Sequence, residues 1–148
     1  MGENYLDHVV INVKDDMDLA QLVFSNLGFT LTPRGYHTLG SINHLMMFGS
    51  DYMELIGFPE HGVANNPNAR PDLTTAPFGI NGLVFKSSDV DKTFEKLVEL
   101  EMDGDPPKSF SRPVELDGRK TDAKFRTVTV RAGVFPEGRV YFLSLIHI

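Results

Sequence analysis

The fold is decided by the stretch Tyr5-Leu-Asp-His-Val-Val-Ile-Asn-Val13 and by its counterpart Tyr52-Met-Glu-Leu-Ile-Gly-Phe58. β-Branched and aromatic residues fill both stretches, which predicts two strands. Between them, Asp15 or Asp16 is placed to cap a helix, and Gly28 is placed to end it. Further strands predicted over residues 29–33 and 44–48 complete a first module with the order β-α-β-β-β.

The alternation of side chains along a strand assigns two faces to the first stretch. Val9, Ile11 and Val13 are predicted to pack on the helix, which turns His8 to the opposite face. In the later stretch the same argument places Tyr52 and Glu54 on the face that His8 shares. A carboxylate in an apolar strand is costly to bury unless it is paired or bound to a metal.

The same order of elements begins again after a linker. Residues 59–78 are rich in proline and asparagine, which is typical of a surface loop. A strand over residues 80–86 and a helix capped by Ser88-Asp89 follow. Residues 106–119 are predicted to form a loop, and strands are predicted at 124–131 and from 139 onward. The first module therefore spans residues 5–58, and the second spans 79–142 with one strand missing.

The chain ends with Leu143-Ser-Leu-Ile-His-Ile148. This peptide is one reading-frame translation of a transposon end used to build sequencing libraries, and such segments are excluded from fold reasoning. We predict that residues 143–148 are a sequencing-adapter scar and that the second module is truncated after Phe142. The alternative is a genuine apolar C-terminal strand. A genomic read through codon 148 distinguishes the two.

Bulk composition excludes several classes of function. The chain has 148 residues, which fits one domain, and it carries a net charge of −6 without a basic cluster, so nucleic acid and anionic membranes are not expected partners. It has no cysteine, which excludes disulfide scaffolds and thiolate chemistry. No signal peptide and no apolar window of about 20 residues is present, so we expect a cytoplasmic protein.

Several stretches, in this order, resemble the vicinal oxygen chelate superfamily and within it the glyoxalase-like domain group. The matching stretches are Leu6-Asp7-His8, Leu27-Gly28-Phe29-Thr30-Leu31-Thr32-Pro33-Arg34-Gly35, Asn43 before Met47-Phe48-Gly49, Tyr52-Met53-Glu54-Leu55, and Ser111-Arg112 with Asp117-Gly118-Arg119. The resemblance implies an α+β fold of the glyoxalase, bleomycin-resistance and dihydroxybiphenyl-dioxygenase type. In that fold two βαβββ modules form a cupped, incomplete barrel around a cavity.

The resemblance also implies a divalent metal ion, held by a His on the first strand and a Glu on the fourth strand of a module. His8 and Glu54 match these positions, and the ligand types suit Zn, Ni, Mn or Fe without choosing among them. The alternative is a rim histidine beside a glutamate that hydrogen-bonds to Tyr52 or arginines. Asn81 departs from the pattern, because it occupies the position of the second module's histidine and an amide is a poor transition-metal ligand.

Other polar residues are candidates for binding and catalysis. Glu54 and His37 are predicted catalytic residues, with His37 acting as a general acid or base unless it is simply solvated. Asn43, Tyr52 and Asn81 are predicted to hydrogen-bond the substrate. Arg112 is predicted to hold a substrate carboxylate through its planar guanidinium, whereas Arg126 is expected to be a surface charge.

These features predict a glyoxalase-like, metal-dependent enzyme that acts on a small oxygenated substrate, of the lyase, isomerase or dioxygenase type. The alternative is a metal-free protein of the same fold that binds or sequesters a small molecule, as resistance proteins do, and Asn81 favours it. An inactive fragment with an unpaired sheet edge is the third interpretation. A homodimer is compatible with the sequence but not required, because the resemblance implies that the two modules of one chain form the cup.

Overall fold

A computed structural model describes residues 3–37, 40–59 and 71–147. In these residues strands and helices follow in the order β1 (Asn4–Lys14), α1 (Met17–Asn26), β2 (Gly35–Tyr36), β3 (Ile42–Phe48), β4 (Asp51–Gly57), α2 (Pro71–Thr75), β5 (Gly79–Ser87), α3 (Val90–Glu99), β6 (Lys108–Leu116), β7 (Arg119–Thr129) and β8 (Arg139–His147). The chain divides into two compact units. We call Asp7–Leu83 the N-terminal unit, and Met1–Leu6 with Val84–Ile148 the C-terminal unit.

The strands of the N-terminal unit lie in the order β2-β3-β4-β1. Strands β1 and β4 are parallel, with His8 opposite Tyr52 and Val10 opposite Glu54. Strand β3 is antiparallel to β4 and places Leu45 opposite Glu54. The paired strands β1 and β4 therefore carry His8 and Glu54 on one face of the sheet, as the alternation predicted.

Helix α1 covers the other face of this sheet. Its apolar contacts form a core of Val13, Met17, Ile42, Met46 and Leu55, with Ile11, Ala20 and Phe24 packed against it. On the same helix Leu19 and Val23 are exposed, and so is Leu27 directly after it. A helix buries only one stripe against a sheet, and here the positions of Met17, Ala20 and Phe24 occupy that stripe.

The C-terminal unit is organised around α3. Asp89 precedes the helix in an extended conformation, and its carboxylate accepts hydrogen bonds from the backbone N–H groups of Asp91 and Lys92. This is the predicted N-cap, which satisfies donors that the first helical turn leaves unpaired. Val90, Leu97 and Val128 form the buried core, and Phe142 packs against it.

One prediction for the C-terminal unit was wrong. Residues 106–119 were predicted to be a loop, but they contain β6, which pairs antiparallel with β7 around the turn at Asp117-Gly118. Both turn residues have positive φ, 51° and 74°, as a two-residue hairpin requires. Strand β8 pairs antiparallel with β7. The unit therefore has three strands after its helix, and the predicted absence of one strand is corrected; the origin of residues 143–148 stays a prediction.

Two further expectations are revised. The strand predicted over residues 29–33 is reduced to an isolated bridge between Leu31 and Met46, and β2 begins only at Gly35. The linker contains a short helix, α2, and residues 60–70 of it lie outside the described part of the chain. Leu73 of α2 is buried, and its carbonyl accepts a 2.9 Å hydrogen bond from the amide of Asn12. None of the described helices combines the length and apolarity that membrane crossing requires.

Candidate functional site

The candidate site lies on the face of the N-terminal unit opposite α1. The register of β1, β4 and β3 brings the side chains of His8, Glu54 and Asn43 to this face. Val10 and Leu45 are the cross-strand partners of Glu54 and supply apolar neighbours. This small cluster of polar side chains therefore lies among apolar strand residues, where charge–charge interactions are stronger than in water.

His8 is the most buried of these three residues. Only 4% of the residue is exposed, and its ring stacks on that of Tyr52 with a centroid separation of 4.4 Å and an angle of 9°. Its Nε2 atom lies 3.5 Å from Oε2 of Glu54. Stacking limits rotation of the imidazole, so Nε2 stays directed toward the carboxylate.

Glu54 is also held in place through Oε1, the carboxylate oxygen that does not face His8. Asn43 donates a hydrogen bond from Nδ2 to Oε1 of Glu54 at 3.1 Å, which leaves Oε2 as the oxygen next to His8. Gly35 is the cross-strand partner of Asn43, and a Cβ atom there would collide with Oδ1 of Asn43. Glycine at position 35 therefore allows the amide to lie where it can reach Glu54.

Asp7 belongs to the group although the sequence analysis did not select it. Its Oδ2 lies 2.6 Å from Nδ1 of His8, and both residues are buried. Neighbouring residues on a strand point to opposite faces, so periodicity predicts that Asp7 and His8 do not meet. The adjacent Asp-His pair in the sequence was the available signal.

His44 lies on the α1 face and is separate from this group. It is opposite Leu55 in the sheet and is only 2% exposed. Its Nδ1 atom donates to the carbonyl of Thr32 at 2.7 Å, and its Nε2 atom accepts from Nε of Arg34 at 3.1 Å. Both ring nitrogens are thereby engaged in a structural network.

The remaining predicted residues belong to other elements of the chain. His37 lies in the segment between β2 and β3 and is exposed, and Asn81 is buried on β5. Arg112 belongs to β6, and its side chain lies outside the described residues. The predictions for these three residues stay predictions. Arg126 is the expected surface charge, since it forms an exposed ion pair with Asp91 at 2.8 Å.

This exposed ion pair also shifts the pKa values of both of its partners. The hydrogen bonds from Arg126 hold the pKa of the Asp91 carboxyl below its usual value, and the same contact raises the pKa of the Arg126 guanidinium. Both shifts come from charge-assisted hydrogen bonds at the surface.

His8 and Glu54 fit part of a divalent-metal site. Two ligands that each lie ~2.1 Å from one ion at a tetrahedral angle are ~3.4 Å apart, and the Nε2–Oε2 distance is 3.5 Å. Imidazole nitrogen and carboxylate oxygen are also suitable donor types. Across residues 3–37, 40–59 and 71–147, no group of three or more His, Cys, Asp or Glu side chains could hold an ion. The pair therefore offers two donor atoms, fewer than the three protein ligands of a typical catalytic zinc site.

Solved structures share the fold of this chain. A hypothetical protein from Staphylococcus aureus has a TM-score of 0.69 at 16% identity, covering 99% of this chain and 60% of its own. This chain thus corresponds to less than two thirds of that protein's length. A hypothetical protein from Bacillus halodurans C-125 has a TM-score of 0.63 at 15% identity, with 99% and 97% covered.

An enzyme is also among the similar structures. Methylmalonyl-CoA epimerase from Mycobacterium tuberculosis has a TM-score of 0.59 at 17% identity, covering 94% of this chain and 86% of its own. No curated protein sequence matches the chain. At these identities the similarity establishes the α+β fold alone.

The sequence itself matches a family model. The model of the glyoxalase-like domain covers residues 6–147, which include β1 with His8 and β4 with Glu54. The resemblance stated from the sequence and the α+β fold class are both confirmed. The chain therefore belongs to the glyoxalase-like domain family of the vicinal oxygen chelate superfamily.

Proposed function

We propose that the protein is a glyoxalase-like enzyme that binds a small oxygenated substrate at His8 and Glu54 through a divalent cation. One observation carries the proposal: Nε2 of His8 and Oε2 of Glu54 face each other at 3.5 Å. Both atoms are electron-pair donors when the imidazole is neutral, so the arrangement favours an electrophile shared by the two. The fold similarity to an epimerase supports an enzyme, and it does not choose the reaction.

Each residue has a defined part in this proposal. His8 and Glu54 provide the two donor atoms, and Asn43 holds the carboxylate by its second oxygen. Tyr52 keeps the imidazole plane in place by stacking. When bound, a divalent cation would supply a Lewis acid that stabilises negative charge on substrate oxygens.

In this proposal, coordination positions on the cation remain open for the substrate. Two protein ligands are fewer than the three that catalytic zinc sites usually contain, so two vicinal substrate oxygens could complete the coordination. We retain Asn81 and Arg112 as proposed substrate-binding residues, and His37 as a proposed general acid or base. The choice among lyase, isomerase and dioxygenase chemistry, and among Zn, Ni, Mn and Fe, requires the bound substrate and metal.

Metal content and zinc titration test the proposal. The purified protein, grown with Zn, Mn, Ni and Fe, is expected to contain about one equivalent of a divalent metal. Glu54→Gln keeps the shape of the side chain and removes its charge, so zinc affinity measured by calorimetry should fall by more than about tenfold. Glu137→Gln, which changes an exposed glutamate of the C-terminal unit, is the matched control and should bind zinc as the wild type does.

A second function is favoured by the number of donors. The described residues bring together fewer than three metal-ligating side chains. Asn81 belongs to β5, at the position where the resemblance implies a second histidine. A metal-free protein that sequesters a small molecule fits both facts. Absence of stoichiometric metal and of zinc binding in the wild type would reject the enzyme proposal and favour this one.

A further inference from the structure

A small cavity of about 170 Å³ lies within the N-terminal unit, among residues that the proposed function does not use. Met17, Ile42 and Phe58 line it with apolar surface, and each of these residues is at most 3% exposed. Met17 and Ile42 belong to the core beneath α1, on the face of the sheet opposite the candidate site. The volume is below the ~300 Å³ at which sites for drug-sized ligands begin, so the cavity fits only a very small molecule.

Arg34 also lines the cavity, and its guanidinium is fixed along one edge. Nε donates to Nε2 of His44 at 3.1 Å, and Nη2 donates to Asp18 at 2.7 Å and to Gln21 at 3.1 Å. His44 is itself buried and held by the carbonyl of Thr32. Within the described part of the chain, Nη1 of Arg34 has no hydrogen-bond partner. A guanidinium fixed in this way offers two further N–H donors in a defined direction, which suits a carboxylate.

A negative charge lines the cavity as well. Asp15 is exposed, and among the described residues its carboxylate forms no ion pair, whereas Asp18 is paired with Arg34. A simple carboxylate ligand would gain hydrogen bonds from Arg34 and be repelled by Asp15, and a simple amine would experience the reverse. A zwitterion satisfies both residues at once, and an apolar group attached to it would contact the apolar lining.

We infer that this cavity binds an α-amino acid with a short aliphatic side chain. The carboxylate of the ligand accepts hydrogen bonds from Nη1 of Arg34, and its ammonium group pairs with Asp15. Its aliphatic side chain lies against Met17, Ile42 and Phe58, where water is displaced from apolar surface. The inference does not rest on the proposed function, because no residue that lines the cavity belongs to the group around His8.

A titration of the wild-type protein with three matched ligands, followed by proton–nitrogen-15 NMR, tests the inference. L-Valine carries both charged groups, 3-methylbutanoate lacks the ammonium group, and 2-methylpropylamine lacks the carboxylate. L-Valine should bind saturably and shift the backbone amide signals of Asp15, Arg34 and Ile42, while the signal of His8 stays unchanged. Each of the other two ligands should bind about threefold more weakly or less, because each loses one partly exposed charged contact.

Variants test the same contacts from the side of the protein. Asp15→Asn should weaken binding of L-valine by about threefold and strengthen that of 3-methylbutanoate, because the charge it removes attracts an ammonium group and repels a lone carboxylate. Asp16→Asn changes the neighbouring exposed aspartate, which does not line the cavity, so this matched control should leave both affinities unchanged. Arg34→Gln should weaken both ligands by about tenfold or more. Melting curves verify folding, and Asp15→Asn is the decisive variant if Arg34→Gln is unfolded.

The ligand series and the Asp15 variant together decide the inference. An affinity for either analogue that equals or exceeds that for L-valine would overturn it, and so would the absence of a saturable shift at the cavity residues. A loss of 3-methylbutanoate binding in Asp15→Asn would also contradict it. Opposite changes for L-valine and 3-methylbutanoate in this variant support it, whether or not the protein binds a metal at His8 and Glu54.

Discussion

The N-terminal and C-terminal units share one order of elements and differ in where they place polar side chains. The N-terminal unit buries Asp7, His8, Asn12, Ser41, His44 and Asn81, whereas Ser87 is the buried polar residue described in the C-terminal unit. The charged contacts described in the C-terminal unit are surface ion pairs such as Arg126–Asp91 and Arg131–Asp103. Buried polar groups are costly unless they are paired, so the unit that retains them is the better place to look for function.

The largest effect that tests this comparison is expected at His44. His44→Ala breaks contacts to the Thr32 carbonyl and to Arg34 in the buried α1 face, and it leaves a cavity. We expect the free energy of unfolding to fall by about 3 kcal/mol, measured by urea denaturation. His37→Ala, at an exposed histidine of the same unit, should change it by less than ~0.5 kcal/mol. Equal effects of the two substitutions would refute the distinction between buried and exposed polar groups.

An intermediate loss of stability is expected on removing a helix cap, and the caps of α1 and α3 allow the two units to be compared directly. Asp89 caps α3 through two backbone N–H groups, whereas Asp16 precedes α1 without a side-chain cap hydrogen bond. Asp89→Ala should therefore lower the free energy of unfolding by about 1 kcal/mol, whereas Asp16→Ala should lower it by only about 0.3 kcal/mol. Thermal denaturation of both variants checks the difference. A larger loss from Asp16→Ala would contradict the assignment of the caps.

The smallest effect is expected at the surface pair of the C-terminal unit. Arg126 lowers the pKa of Asp91, so this carboxyl is more acidic in the folded than in the unfolded chain. Its stabilising contribution is present above the ordinary value of 3.8 and is lost as pH falls through the lowered pKa. An NMR titration of Asp91 should show the lowered pKa, and Arg126→Gln should return it toward 3.8. A carboxyl with the same pKa in both proteins would show that the contact is absent in solution.

Local sequence patterns predicted much of the fold. Alternation in β1 correctly assigned Ile11 and Val13 to the α1 side, and the Asp89 cap was predicted from its position before an apolar stripe. The prediction of a loop over residues 106–119 was wrong because the Asp117-Gly118 dipeptide was not interpreted as a hairpin turn, although such a pair is a strong hairpin signal. The prediction of a second strand over residues 29–33 was wrong because the pairing there is a single bridge at Leu31, which no local pattern reveals.

Only some of the residues of the candidate site could be predicted from the sequence, because others depend on contacts that the tertiary structure sets. His8 and Glu54 were selected from strand alternation and resemblance, and the structure brings them within 3.5 Å of each other. The contact of Asp7 with His8 runs against strand alternation, so periodicity could not predict it. The support that Asn43 gives Glu54 depends on β3 and β4 being neighbours.

The sequence by itself determined much of the order of elements, the family and the face on which His8 and Glu54 lie. The elements and the face follow from periodicity and turn chemistry, which act over a few residues, whereas the family followed from the resemblance. Only the tertiary structure decided that His44 pairs with Arg34 beneath α1 and that Asp7 holds the ring of His8. Such contacts join side chains through strand register and packing, so they are defined by distances in space that no local spacing encodes.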